Sequence, residues 1–146
     1  MQTSLYALAF VSGLLLTVQV GSNAALRTAL GNLGIAALAN FLVGTVGLCA
    51  YLVITQGQWP TRAALSGAPV WAWLGGLMGA FYVASSVVVG PRLGAAALLA
   101  LTVLGQLVAA LIVDQFGWLG FPQHSFTIAR FAGAVLLLAG VVLIVR

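Results

Sequence analysis

The side chains able to do chemistry in this sequence are few, and most carry no charge. Gln19 and Asn23 stand four residues apart in the first apolar run, with Ser12 seven residues before Gln19, so a helix places all three on one face. Asn40 lies in the second run, Tyr82 well inside the third, and Gln106 near the middle of the fourth, one turn after Thr102. Amides and phenols act here by donating and accepting hydrogen bonds, not by carrying charge. An unpaired amide in hydrocarbon costs about 2–7 kcal/mol, so each of these groups must face protein, water or a ligand. Two uses compete. One is interhelical bonding, worth about 0.6 kcal/mol per bond on average. The other is lining a solute cavity, which makes Gln19, Asn23, Asn40, Tyr82 and Gln106 the candidate substrate-binding residues. Asn23 has a further reading, because Gly21-Ser22-Asn23 also suits a local helix break with Asn23 capping the freed backbone.

Charged chemistry is scarcer still. Asp114, near the end of the fourth run, is the only carboxylate, and proton-coupled cation export usually needs an acid near the bilayer centre. Asp114 therefore reads as half of a structural ion pair, with Arg130 on the same side or with Arg27 or Arg92 of an antiparallel neighbour. There is no HExxH, no CxxC and no glycine loop ending in Lys, so neither an enzyme, a cofactor nor a metal is expected. His124 is expected to cap or hydrate the last loop, and Cys49, without a partner, to pack in the core. The arginines are spread singly and make no nucleic-acid patch.

The elements that must position these groups follow from composition. Of 146 residues, 63% are hydrophobic and 4% charged, whereas a soluble domain carries roughly 25% charged residues. The solvent is lipid. Five apolar runs, at 5–25, 34–54, 70–89, 95–113 and 128–145, approach the about 20 residues that a spanning helix needs, and predict an all-α membrane protein with a single domain over 1–146. Gln56-Gly57-Gln58-Trp59-Pro60, Gly90-Pro91-Arg92-Leu93-Gly94 and Phe121-Pro122-Gln123-His124-Ser125 mark interfacial turns. All four tryptophans fall in or beside the breaks. The first run is expected to be retained, since it lacks a basic leader, and its helical pattern extends to Leu30 with Arg27 snorkelling to the headgroups. Ala37, Asn40, Gly44, Gly47 and Tyr51, then Gly75, Gly79, Tyr82 and Ser86, form stripes of small residues that predict close helix packing. Gly133 and Gly140, seven apart in the last run, are assigned to dimer packing.

The arginines bear on assembly. Arg62 and Arg130 fall on the N-terminal side of the membrane, and Arg27, Arg92 and Arg146 on the other, a difference of one residue. Orientation is weakly specified by so small a bias. Dual insertion would give an antiparallel ten-helix homodimer, whose two-fold axis in the membrane plane supplies the symmetry that alternating access exploits. The partners expected are therefore a second copy, the bilayer and a small-molecule substrate.

Several motifs, taken in order, carry a resemblance over nearly the whole chain. They are Gln19-x3-Asn23, Asn40-Phe41-x2-Gly44, Gly75-Gly76-x2-Gly79, Pro91-x2-Gly94, Gly105-Gln106-Leu107, Asp114-x2-Gly117 and Arg130-x2-Gly133. The set resembles the YdcZ-type small transporters of the drug/metabolite transporter superfamily. The resemblance implies a bacterial inner-membrane location and an antiparallel assembly, as a homodimer or with an oppositely oriented paralogue. Small multidrug resistance relatives use a first-helix glutamate that this sequence lacks. The function expected is transport of a small organic solute by alternating access, through a cavity built by the first four spans at the dimer interface. The alternatives are a dual-topology ion or anion channel and a non-transporting membrane subunit.

Overall fold

A computed structural model describes residues 2–146, and every regular element among them is helical. Five stretches are long and apolar enough to span a membrane: Gln2–Leu30, Leu33–Ile54, Val70–Leu93, Ala95–Phe116 and Ile128–Val145. We label the helices α1 (Gln2–Leu30), α2 (Leu33–Ile54), α3 (Arg62–Gly67), α4 (Gly75–Leu93), α5 (Ala95–Phe116) and α6 (Ile128–Val145). The chain divides within α4 into two compact units, one ending at Val88 and the other running from Val89 to Arg146.

In the first unit α1 is continuous through Gly21-Ser22-Asn23, so no local break exists for Asn23 to cap. The Ser22 hydroxyl instead donates to the Val18 carbonyl one turn back, at 3.1 Å. α1 stops at Gly31, whose φ of 66° is left-handed and whose N–H donates to the Arg27 carbonyl. Asn32 then opens α2, its side-chain oxygen accepting from the Ile35 N–H at 3.1 Å. Two residues thus separate α1 from α2, and the helices pack as a hairpin. The short α3 follows the turn at 56–60, in the connection between the second and third runs. Thr61 nucleates it by accepting from the Ala64 N–H at 3.2 Å.

The third span begins as a 3-10 turn, Val70–Leu74, and continues as α4 to Leu93. The break predicted at Gly90–Gly94 shrinks to Gly94 alone, with φ 82°. Proline in the last turn keeps a helical φ and removes a single bond, the one its N–H would have made to the carbonyl four residues back, here Val87.

In the second unit α5 and α6 pack against each other. α5 ends at Gly117, which adopts φ 63° and donates to the Val113 carbonyl; a Cβ there would stand 3.2 Å from that of Gln123. Thr127 starts α6 by accepting from the Arg130 N–H at 3.2 Å.

Buried positions are sparse: Val20, Asn23, Ala36, Val83, Ser86, Val87, Gly90, Ala97, Leu98 and Val141. At most 17% of any spanning window is buried within the chain, which leaves the apolar exteriors to lipid or to further protein. Cys49 is exposed on α2, not packed in a core. Its thiol follows the outward face of a helix that has few buried positions to offer.

Candidate functional site

In the first unit, a cleft of about 410 Å3 opens between α1 and α2. Gln19 enters it from α1, and Asn40, Gly44 and Thr45 from α2, with Phe41 and Leu48 among its apolar walls. The Thr45 hydroxyl is already spent on the Phe41 carbonyl at 2.8 Å. The two amides are not: neither Gln19 nor Asn40 hydrogen-bonds to another described residue, and both are only partly buried. Each offers a donor and an acceptor into the same space.

The glycine stripe on α2 works differently from the packing expected of it. A Cβ added at Gly44 or Gly47 meets nothing within 4 Å, so no helix presses on either position. At Gly44 the absent side chain widens the cleft. On α4 the same holds at Gly75, whereas Gly79 does pack: an added Cβ would sit 3.6 Å from the tip of the Phe41 ring. Phe41 is thus a wall of the cleft on one side and a contact to α4 on the other.

Asn23, one turn beyond Gln19 on α1, is buried to 2% exposure, and its Oδ1 has no hydrogen-bond partner. The Tyr82 hydroxyl on α4 is equally enclosed and unpartnered. Buried polar atoms in folded proteins are nearly always satisfied, so these two oxygens call for a water or a ligand. Ser86, also buried, satisfies itself by donating to the Val83 carbonyl at 2.8 Å. Gln106 lies exposed on α5, in the second unit.

One contact in the first unit goes beyond the sequence reading. Arg27 Nη1 donates to the Val87 carbonyl at 3.0 Å. That carbonyl belongs to a fully buried residue and is the one left without its helical partner by Pro91. The guanidinium takes over the role of the missing N–H. The spacing of Pro91 four residues after Val87 carried the signal, but not the donor that would answer it. Arg92, in the last turn of α4, is exposed and pairs with no described residue.

In the second unit Arg130 Nη1 lies 3.1 Å from Asp114 Oδ2, and also donates to the His124 carbonyl at 3.3 Å. The loop between α5 and α6 is tied down around this pair. The His124 N–H donates to the Asp114 carbonyl at 2.8 Å, Gln123 Nε2 to the Gln115 carbonyl at 3.0 Å, and the Phe126 N–H to Gln115 Oε1. The first two satisfy backbone carbonyls at the end of α5 that have no helical donor, and the third fixes the Gln115 side chain to the loop. His124 therefore acts through its backbone, and Gln115 and Gln123, which composition and spacing did not single out, hold the loop. Gly133 lines a groove between α5 and α6 beneath the ion pair. Neither Gly133 nor Gly140 has an atom within 4 Å of where a Cβ would stand.

Comparison with known proteins agrees with this architecture. A family model described as "Putative inner membrane exporter, YdcZ" matches residues 4–143. The inner membrane protein YdcZ of Escherichia coli (strain K12) is 34% identical over 112 residues, covering 77% of this chain and 74% of that protein. No solved structure matches. With five spanning helices and a family match over nearly its whole length, the chain belongs to the YdcZ family of inner-membrane exporters and is a multi-pass protein of the inner membrane.

Proposed function

We propose that the protein exports a small, uncharged or weakly polar organic solute by alternating access, and that the cleft between α1 and α2 is where the solute binds. The observation that carries this reading is the pair of unpartnered amides, Gln19 and Asn40, facing one cleft of about 410 Å3, a volume within the range of about 300–1,000 Å3 common to small-molecule sites. Asn23 and Tyr82, whose enclosed oxygens have no partner, extend the set of hydrogen-bonding groups in the same unit. These side chains act by donating and accepting hydrogen bonds, so they suit a solute recognised by hydrogen bonds and shape.

The functional unit in this proposal is an antiparallel dimer. The near balance of arginines across the membrane supports it, as does the sparse burial along each span, which leaves wide apolar faces for a second copy. The inverted partner supplies the opposing wall of the cavity, and exchange of the two copies' roles opens it to alternate sides. Within the dimer, α6 clasps the partner along its outer apolar face, which carries Val135, Leu138 and Val142.

Flux in proteoliposomes, measured by counterflow over a panel of uncharged amides, polyols and weak organic bases, tests the site. Gln19→Ala and Asn40→Ala are each expected to lower flux of the transported solute about five- to tenfold, the effect of one lost hydrogen bond of about 1 kcal/mol. Unchanged flux in both variants would remove the cleft from the pathway. Currents too fast for a cycle of μs–ms steps would replace transport with a channel.

A further inference from the structure

The groove between α5 and α6 has an apolar length and a charged end. Its volume is about 480 Å3, its walls are Leu107 and Leu111 from α5 and Ala134 and Leu137 from α6, and Asp114 and Arg130 close one end. Each wall covers seven residues beyond the ion pair, about 10 Å along a helix. Gly133 leaves the upper part open, since a Cβ there would meet nothing within 4 Å. The charged end sits where α5 gives way to the polar loop, at headgroup depth, and the leucines lie deeper in the hydrocarbon.

The ion pair has spare capacity. Arg130 makes both of its side-chain contacts through Nη1, so Nε and Nη2 form a free donor edge. Asp114 receives Arg130 on Oδ2 alone, which leaves Oδ1 without a partner. The two side chains remain 34% and 26% exposed. Each charge also stands at the helix pole that disfavours it, the anion in the last turn of α5 and the cation in the first turn of α6. Helix capping therefore does not account for them.

We propose that this groove is a phospholipid site, holding one acyl chain of a bilayer lipid whose headgroup combines a phosphate with a primary ammonium. The phosphate takes the free edge of Arg130, the ammonium donates to Asp114 Oδ1, and the chain lies along Gly133 toward Leu107 and Leu137. The complementarity is between two zwitterions laid side by side. A choline headgroup has no N–H to donate, and a glycerol headgroup has no cation.

Native mass spectrometry of the full-length protein in detergent, titrated with phosphatidylethanolamine, phosphatidylcholine and phosphatidylglycerol of matched chains, tests the assignment. The ethanolamine lipid is expected to be retained about tenfold better than either alternative, the effect of one charge-assisted hydrogen bond. Gly133→Leu, which fills the groove without touching the charges, is expected to abolish that retention. Asp114→Asn is expected to erase the difference between ethanolamine and choline headgroups. Equal retention of the three lipids by the native protein, or full retention by Gly133→Leu, would overturn the proposal. So would ready disulfide formation between copies carrying Gly133→Cys in a Cys49→Ala background, because a second copy would then cover the groove.

Discussion

The first unit and the loop between α5 and α6 handle polar groups in opposite ways. In the first, the amides of Gln19 and Asn40 and the enclosed oxygens of Asn23 and Tyr82 are left without partners. In the second, Asp114, Arg130, Gln115, Gln123 and the His124 backbone bond to one another around a single loop. Apolar surroundings make an unmet hydrogen bond expensive, so the second arrangement adds stability and the first forgoes it. Atoms kept unsatisfied are available to a ligand, and atoms already satisfied serve the fold. The difference separates recognition from scaffold within one short chain.

The sharpest way to break that contrast is the double variant Gln19→Ala, Asn40→Ala. Flux is expected to fall about 25- to 100-fold, as two hydrogen bonds of about 1 kcal/mol or slightly more are lost together. Resistance to thermal or denaturant unfolding in micelles should barely change, because neither amide bonds to the protein. A large loss of stability instead would make the amides part of the scaffold.

Arg27 differs from the open amides of the first unit, because its guanidinium is committed to the backbone of another helix. Arg27→Met keeps the apolar stem and removes the donor to the Val87 carbonyl, for an expected loss of about 1–2 kcal/mol. Pro91→Ala restores a backbone N–H to that carbonyl. In a double-mutant cycle it should therefore offset most of the Arg27→Met loss, and additive effects would show that the two residues do not share that acceptor.

For the interfacial pair, Asp114→Asn is expected to lower stability by about 1 kcal/mol, between the values for exposed and buried ion pairs. Turnover per folded molecule should stay near the native level. A variant that folds normally but no longer transports would move Asp114 from scaffold to mechanism. The smallest effect is expected from Ser12→Ala. Its hydroxyl donates to the Leu8 carbonyl within α1, at 2.9 Å, and its residue is exposed, so flux and stability should both remain within error of the native protein.

Much of this architecture was legible because spans are a matter of length and composition. The runs at 34–54 and 128–145 match α2 and α6 to within a residue. The ends were less legible where one residue settled them. Pro91 reads as a breaker, yet in the last turn its fixed φ fits the helix, and only Gly94 turns the chain. Gly21-Ser22-Asn23 reads as a weak point, but each residue there can hold a helical φ, and Ser22 bonds back to Val18. Among the site residues, the face shared by Gln19 and Asn23 follows from helical spacing alone. That Gln19 meets Asn40, while Asn23 is sealed away, depends on how α1 lies against α2.

Sequence alone determined that this chain lives in lipid, how often it crosses, how little charge it has for proton chemistry, and which polar groups needed explaining. Those are properties of composition and periodicity, and they survive any arrangement of the helices. Tertiary structure decided which polar groups are spent and which are open. It gave the Val87 carbonyl to Arg27, joined Asp114 to Arg130 around the last loop, and left Gln19 and Asn40 facing the same space. A hydrogen bond between residues far apart in the chain is set by the relative placement of two helices to within an ångström, and no local pattern of residues encodes that distance.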